Sequence, residues 1–548
     1  MNRTDKLPGD TIDIASMLDE EQSPLLQRIL EGGGNLLVTG KAGTGKSFLL
    51  KALLKRSDSK TLQMAPTGIA AINIGGVTLH SAFGFHNLEG IDIDEIDRST
   101  LRLNKERQAV LASASRIVVD EASMVRADTF EKMDKILKII CKNDAPFGGK
   151  QMILFGDIFQ LPPVVKKSEE YELCERFGGV HFFDTMAYDA GNFEFVELTV
   201  NHRQVDDDAF FDVLNRVRSG NASTSDLALL NARIVPSQHT VENGTVRLFP
   251  LKREAESLNA SVLASLPSQE FKFMANVWSR DKKPVRSIEK RFPVAQCLRL
   301  KVGAQVMMTT NDPQKRWANG TMGIVERIDR QTIKAVSNGV EAERKGPWVI
   351  TVRIGEDSFE VAKASFVEEE AVMRDGGIEY DPVVEVKQYP IVLAWAMTIH
   401  KSQGLTYDKV MCSLEGCFSP GQAYVALSRC KALKGLTLTS EVQPWQLIVD
   451  ESAASFYEGQ TSGNAIAAGD ATPRRRKTET EIMLARFLRM RDGASDQANA
   501  MLHSVLGRKD AVEALRAIAE SVEKDNSEMS DNLTRLADSL ATVKGVLS

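Results

Sequence analysis

Short apolar runs alternate, along the first third of the chain, with stretches in which apolar residues recur every three or four positions. Residues 35–39, Thr61–Ala65, Arg116–Val119 and Gln151–Phe155 are such runs, the length of strands buried on both faces. Leu25, Leu26, Ile29 and Leu30, and later Phe130, Met133, Leu137 and Ile140, follow helical spacing, which predicts helices whose apolar stripes pack on those strands. Strands alternating with helices in this way predict an α/β fold on a parallel sheet covered on both faces.

The period changes further along. Trp348, Ile350, Val352 and Ile354 alternate with more polar neighbours, 355–358 reads as a turn, and Phe359 and Val361 resume the alternation. A small β module is therefore expected over 323–389. Residues 86–107 are polar and charged, the composition of a short surface excursion. After about residue 440 the chain reads as a flexible linker at 461–473 and a basic run from Arg474 to Lys477, which suits a solvated patch. Apolar residues at helical spacing then extend from Ile482 to Val543. Those amphipathic helices suit a bundle, a partner-docking module or an oligomerisation element alike.

Composition adds exclusions. With 26% charged and 43% hydrophobic residues over 548 positions, the chain has an ordinary globular make-up and room for several cores. Its net charge of −6 advertises no nucleic acid in bulk, so any such contact must come from a local basic groove. The six cysteines form no CxxC pair and the seven histidines no HExxH, which argues against structural zinc and for a reducing compartment. The first residues carry no signal-peptide core and no apolar run approaches a membrane span. The expected location is the cytoplasm, nucleoid-associated if bacterial or phage, or the nucleus or mitochondrion if eukaryotic.

The first apolar run ends in GKAGTGKS, from Gly40 to Ser47. A glycine-rich turn between a strand and a helix aims backbone N–H groups at phosphate oxygens, so this is a Walker A loop. Gly40, Gly43, Thr44 and Gly45 form the cradle, Lys46 reaches the β- and γ-phosphates, and Ser47 is placed to hold Mg²⁺. The third run ends in Asp120 and Glu121, a Walker B pair: Asp120 for the metal's water shell, Glu121 to orient and deprotonate the attacking water. The fourth leads to Gln160 and a double proline, a rigid extended exit suited to a sensor amide at the γ-phosphate. Taken alone, Gln22 reads as a surface glutamine. Phe83 and Phe85, beside His80, read either as core or as platforms for stacked bases.

These residues resemble the signature of the petite-integration-frequency DNA helicases, superfamily 1B, related to the RecD and Dda helicases. The resemblance rests on DEASMVR from Asp120, PFGGK from Pro146, GDIFQLPPV from Gly156, LTVNHRQ from Leu198, WAMTIHKSQGLT from Trp395 and GQAYVALSR from Gly421. It implies two RecA-like parallel-sheet domains, 1–200 and 201–322 with 390–455, with ATP and Mg²⁺ in the cleft between them. It implies an SH3-like β insertion at 323–389 and a strand-separating wedge at 86–107; it assigns nothing to the C-terminal part, where composition and periodicity place a linker at 456–473 and a helical tail at 474–548. The resemblance gives Gln22 and Gly404 nucleotide-binding roles, makes Gln160 the γ-phosphate sensor, and offers Arg203 and Arg429 to the transferring phosphoryl group. It places single-stranded DNA against Thr67, His80, Thr398, His400, Lys401 and Gln403. The activity implied is ATP-dependent 5′-to-3′ unwinding of duplex or forked DNA. Because 86–107 carries no obvious aromatic tip, a translocase that displaces proteins without separating strands is the other reading. An adaptor acting through its C-terminal helices would have no need of six intact ATPase residues.

Overall fold

The apolar runs pair edge to edge in parallel. The computed structural model describes residues 17–85, 92–101, 103–202, 207–235, 242–282, 284–337 and 340–461. Its first sheet joins β1 (Leu36–Gly40), β2 (Thr61–Ala65), β3 (Val77–Thr78), β4 (Arg116–Val119), β5 (Gln151–Phe155) and β6 (Glu194–Leu198) in the order β3-β2-β4-β5-β1-β6. Alternate side chains leave opposite faces of a strand. Leu36, Val38, Val118, Ile153 and Phe155 meet the helices Gln22–Leu30 and Lys46–Arg56, while Leu37, Ile117, Val119, Met152 and Leu154 meet the helix Ala127–Cys141. That double burial explains why these runs are predominantly apolar. The edge strands β3 and β6 are not anticipated, β3 because two residues carry no period and β6 because its residues are only half-buried.

A second parallel sheet follows, in the order β18 (Ala396–Thr398), β7 (Val246–Phe249), β19 (Val410–Cys412), β20 (Leu436–Leu438). Its core gathers Val246, Leu248, Val410, Cys412, Val425 and Leu436. Two parallel α/β sheets in one chain are the arrangement expected for paired RecA-like domains.

Between β7 and β18 the chain builds antiparallel sheets. β8 (Phe271–Met274) pairs with β10 (Cys297–Leu300), and β9 (Asn276–Ser279) joins β15 (Ala364–Arg374) and β16 (Gly377–Gln388). A five-stranded sheet orders β14 (Asp357–Val361), β13 (Val340–Ile354), β12 (Met322–Ser337), β11 (Gln305–Met308) and β17 (Ile391–Leu393). The expected alternation is present, with Ile350 and Val352 buried and paired to Ile328 and Val325. The β structure nevertheless spans 271–393 and not 323–389 alone, because β8 to β11 are four-residue strands too short to register a period.

Two further boundaries differ from expectation. Residues 456–461 close the helix Glu451–Thr461, and Phe456 stacks on Phe183 of the first domain with ring centroids 4.3 Å apart. Ile96, Leu101 and Leu103, expected in a surface excursion, are buried in the first domain's core, and Ile93 is buried as well. Phe83 and Phe85 are buried there too and stack on each other, so they are core residues and not base platforms. Residues 86–91 and the tail at 474–548 lie outside the described residues.

The sheets and cores described above belong to one compact unit, 1–164 with 181–458. A second unit comprises 165–180 and 459–548 and contributes the helix Lys167–Phe177 to the described residues. Among the described residues no helix is long and apolar enough to cross a membrane.

Candidate functional site

β1 delivers its C-terminal end to the Walker loop, and the helix Lys46–Arg56 starts from Gly45, whose φ of 79° is left-handed. A side chain at Gly45 would be strained there and would also collide with the amide of Gln22. Gln22 is 1% exposed and donates from Nε2 to the Thr44 carbonyl at 3.3 Å, so it is no surface residue. Its helix is started by Asp19, whose Oδ1 accepts the Glu21 and Gln22 N–H groups at 2.8 and 2.7 Å. The Lys46 ammonium lies over its own loop, donating to the Gly40 and Lys41 carbonyls at 2.5 and 3.0 Å.

The loop opens onto a cavity of about 480 Å³ lined by Ser47, Asp120, Glu121, Gln160, Gly404 and Arg429, among others. β4 brings the two carboxylates there side by side. Burial pushes the Glu121 carboxyl well above the usual carboxylate range, and the neighbouring Asp120 adds to the rise. Asp120 is raised chiefly by burial, with the Lys46 ammonium pulling the other way. Glu121 also holds a left-handed φ of 51°, a conformation that costs a non-glycine residue about 1 kcal/mol or more. Strained backbone and a raised carboxyl in one cavity mark Glu121 as a candidate base.

The second domain supplies the opposite wall. Gln403 donates from Nε2 to Glu121 Oε2 at 2.9 Å and to Gln160 Oε1 at 3.2 Å. Arg429, 1% exposed, donates to the carbonyls of Val425, Ser402 and Leu405 and to the Ser428 hydroxyl. Tyr424 accepts the Ala42 N–H of the Walker loop at 3.0 Å and donates to Asp157 Oδ2 at 3.3 Å. Gly421 permits this closeness: a Cβ there would lie 2.6 Å from the Gln160 carbonyl oxygen.

Ser47 and Asp120 present a hydroxyl and a carboxylate, the hard oxygen donors that suit magnesium. Among the described residues no cluster of three or more acidic, histidine or cysteine side chains could hold a metal by itself. The donor set therefore fits an ion completed by phosphate and water.

The remaining expected residues spread over a face above the strand ends. Thr67 caps the helix Gly68–Ile74 by accepting the Ala70 N–H. His80 is exposed and lines a second cavity of about 490 Å³ with Arg107 and, from the β insertion, Arg280, Arg291 and Glu370. There Glu370 bridges Arg107 at 2.8 Å and Arg280 at 2.5 Å. Thr398 is buried and accepts the Lys401 N–H at 3.2 Å, His400 is half-buried, and Lys401 is exposed. Partial burial and the nearby Lys252 push the Lys401 ammonium below its ordinary value. Gln403, expected with the DNA contacts, is hydrogen-bonded in this structure to Glu121 and Gln160 at the edge of the nucleotide cavity. Its two-residue offset from Lys401 turns it to the other side of a tight turn. Arg203 lies outside the described residues.

Several contributors escaped the reading of the sequence. His202 lines the cavity, donates its N–H to the Gly43 carbonyl at 2.9 Å and pairs with Asp19 at 2.7 Å. Tyr424 and Asp157 sit inside motifs already singled out. Arg218 and Lys252 have no motif to betray them, since only folding brings them to the site.

Comparison with known proteins agrees with this geometry. The family description "PIF1-like helicase" matches residues 17–227, and that of the 2B domain of the DNA helicase Pif1 matches 285–328. The ATP-dependent DNA helicase Pif1 of Bdellovibrio bacteriovorus is 34% identical over 446 residues, covering 80% of this chain and 92% of that protein. The human ATP-dependent DNA helicase PIF1 is 33% identical over 82% of this chain, which spans 65% of that longer protein. The crystal structure of a Bacteroides Pif1 with ADP-AlF4 superposes with a TM-score of 0.70 at 33% identity, covering 82% of this chain and 98% of that one. The same protein bound to single-stranded DNA gives 0.54 at 34% identity, over 81% and 96% of the two chains.

Proposed function

The chain belongs to the PIF1-like helicase family and is an ATP-dependent DNA helicase; from that premise we propose that it translocates 5′ to 3′ along single-stranded DNA and opens the duplex ahead of it. The observation that carries this reading is the cavity in which Lys46, Asp120, Glu121 and Gln160 of the first domain face Gly404, Thr406 and Arg429 of the second. A cleft shared by two domains makes closure a condition of hydrolysis, which is how a motor converts chemistry into steps.

In this mechanism Gln22 holds the adenine edge, the loop from Gly40 to Gly45 binds phosphates through its N–H groups, and Lys46 leaves its loop carbonyls for the β- and γ-phosphates. Ser47 and Asp120 would hold magnesium, which when bound neutralises charge on those phosphates. Glu121 orients the attacking water and accepts its proton, and Gln160 senses the γ-phosphate. Arg429 swings from its carbonyl partners onto the transferring phosphoryl group as the cleft closes, with Arg203 as the second arginine. Thr67, His80, Thr398, His400 and Lys401 contact backbone phosphate and sugar, which positions a strand without reading its sequence. The β insertion, an SH3-like module in this reading, flanks the strand's path beside His80.

Strand displacement with ATP and Mg²⁺ on duplexes carrying either a 5′ or a 3′ single-stranded tail tests the proposal. Unwinding of the 5′-tailed substrate alone is expected. Unwinding only of the 3′-tailed one overturns the polarity. DNA-stimulated ATPase without unwinding of either substrate favours a translocase.

A further inference from the structure

Asp157 divides its two oxygens between different partners. Oδ1 meets the Arg218 guanidinium, with Nε at 3.1 Å and Nη2 at 3.0 Å, and accepts the Phe159 N–H at 3.2 Å. Oδ2 accepts the Gln160 amide nitrogen and the Tyr424 hydroxyl, each at 3.3 Å. Arg218 ends the helix Asp208–Arg218, whose Phe210, Val213 and Leu214 lie in the second domain's core, and Tyr424 lies in that core too. The guanidinium also lies 4.4 Å over the ring of Phe159, the residue next to Gln160. A first-domain loop that lines the nucleotide cavity is therefore gripped, out of water, by an arginine of the other domain.

We propose that Asp157 and Arg218 are positioning residues that make the site selective for a nucleotide with a γ-phosphate: Arg218 fixes the Asp157 carboxylate, and the carboxylate decides which end of the Gln160 amide is offered to the phosphate. The inference rests on the reading of Gln160 as the γ-phosphate sensor. An ionised carboxylate only accepts hydrogen bonds, so the amide beside it must turn its nitrogen inward. That nitrogen carries two hydrogens; one is spent on Asp157, and the other is left for a phosphate oxygen, which is likewise an acceptor alone. Gln160 Oε1 accepts an N–H from Gln403 at 3.2 Å, in keeping with the same orientation. Turned over, the amide would set Oε1 against Asp157, two buried acceptors with no hydrogen between them. The arrangement holds only while Asp157 is ionised. Burial works against that charge, but Arg218 and Lys46 outweigh it and keep the carboxyl below its ordinary range. Lys46 is drawn to the phosphates when nucleotide binds, so Arg218 is the cation that stays.

The test is the ratio of affinities of the full chain for adenylyl imidodiphosphate, which keeps a γ-phosphate and resists hydrolysis, and for ADP, both with Mg²⁺. In Asp157→Asn the amide oxygen takes the place of Oδ1, because Arg218 and the Phe159 N–H demand an acceptor there, and the NH₂ group takes the place of Oδ2. A donor then faces Gln160 and turns its amide over. A hydrogen bond to a charged group is at stake, so the preference for the γ-phosphate should fall about tenfold or more, with ADP affinity unchanged. Arg218→Met combined with Asp157→Asn leaves no buried charge without its partner and should show the same fall, covering a failure of the single variant to fold. In a Gln160→Ala background Asp157→Asn should change the ratio no further. An unchanged ratio in Asp157→Asn overturns the proposal. Equal loss of both nucleotides overturns it as well, by making the pair a support of the whole pocket, and so does an undiminished effect without Gln160. Failure of the underlying reading is seen separately: Gln160→Ala alone would then leave the ratio as it is, whatever Asp157 does.

Discussion

Asp157 of the first domain and Arg218 of the second form a buried ion pair at 3.0 Å, with side chains 0% and 3% exposed. Burial alone would raise the Asp157 carboxyl, but Arg218 and Lys46 outweigh it and hold it below its ordinary range. The guanidinium lies 4.4 Å over the Phe159 ring and also reaches Glu197. Asp157 receives Tyr424 and Gln160 as well, so this pair sits where the two domains, the Walker loop and the sensor converge.

Breaking that pair from one side leaves a buried charge unpaired. Arg218→Met should lower the stability of the two-domain unit by about 3–5 kcal/mol, read as an earlier urea transition. Adding Asp157→Asn removes the orphaned charge and should restore part of the loss.

Lys46→Ala should abolish ATP hydrolysis while leaving the fold intact, because the residue sits at the start of a helix, where alanine is well tolerated, and its ammonium donates to carbonyls of its own loop. Turnover and circular dichroism check the two halves, and full activity would refute the Walker assignment.

Glu121→Gln preserves shape but cannot accept a proton. Turnover should fall by about 10²–10⁴, with nucleotide and DNA affinities retained. A DNA-stimulated ATPase near that of the unaltered protein would remove Glu121 from its role.

Arg429→Lys keeps a charge but not the planar fork. Losing an arginine finger typically costs about 10³–10⁵ in rate, so turnover should collapse while binding of an ATP analogue persists. A loss of nucleotide binding of equal size would instead give Arg429 a structural role.

His181 and Asp450 pair at 2.9 Å and tie the helix Glu451–Thr461 to the first domain. Burial alone would lower the His181 imidazolium, but Asp450 and Asp184 outweigh it and raise it above its ordinary value. The stability this gives is fully present below about pH 6.5 and is lost as pH rises through the raised value. Asp450 is depressed, so its share is lost only as pH falls below the ordinary carboxylate range. The melting temperature should therefore drop as pH rises above about 6.5, and His181→Gln should flatten that dependence.

The sequence by itself determined the parallel sheet of the first domain and the nucleotide chemistry. Both are local facts: doubly buried strands are predominantly apolar, and a phosphate cradle needs its glycines and lysine at fixed offsets within one loop. It also carried the alternation of β12 to β14 and, through the resemblance, the family. Tertiary structure decided what depends on distant segments meeting. Gln22 looks like a surface residue until Thr44 is brought against it, and Phe83 and Phe85 could not be assigned until the core closed around them. β8 to β11 are too short to show a period and become strands only through their partners. Arg218 is one arginine among many until Asp157, 61 positions away, fixes its meaning. Gln403 shares a motif with the residues expected to contact DNA, yet a turn of three residues sends its amide to Glu121. Spacing along a chain records which residues are close in sequence; the direction in which each side chain leaves a tight turn is set by the packing around it.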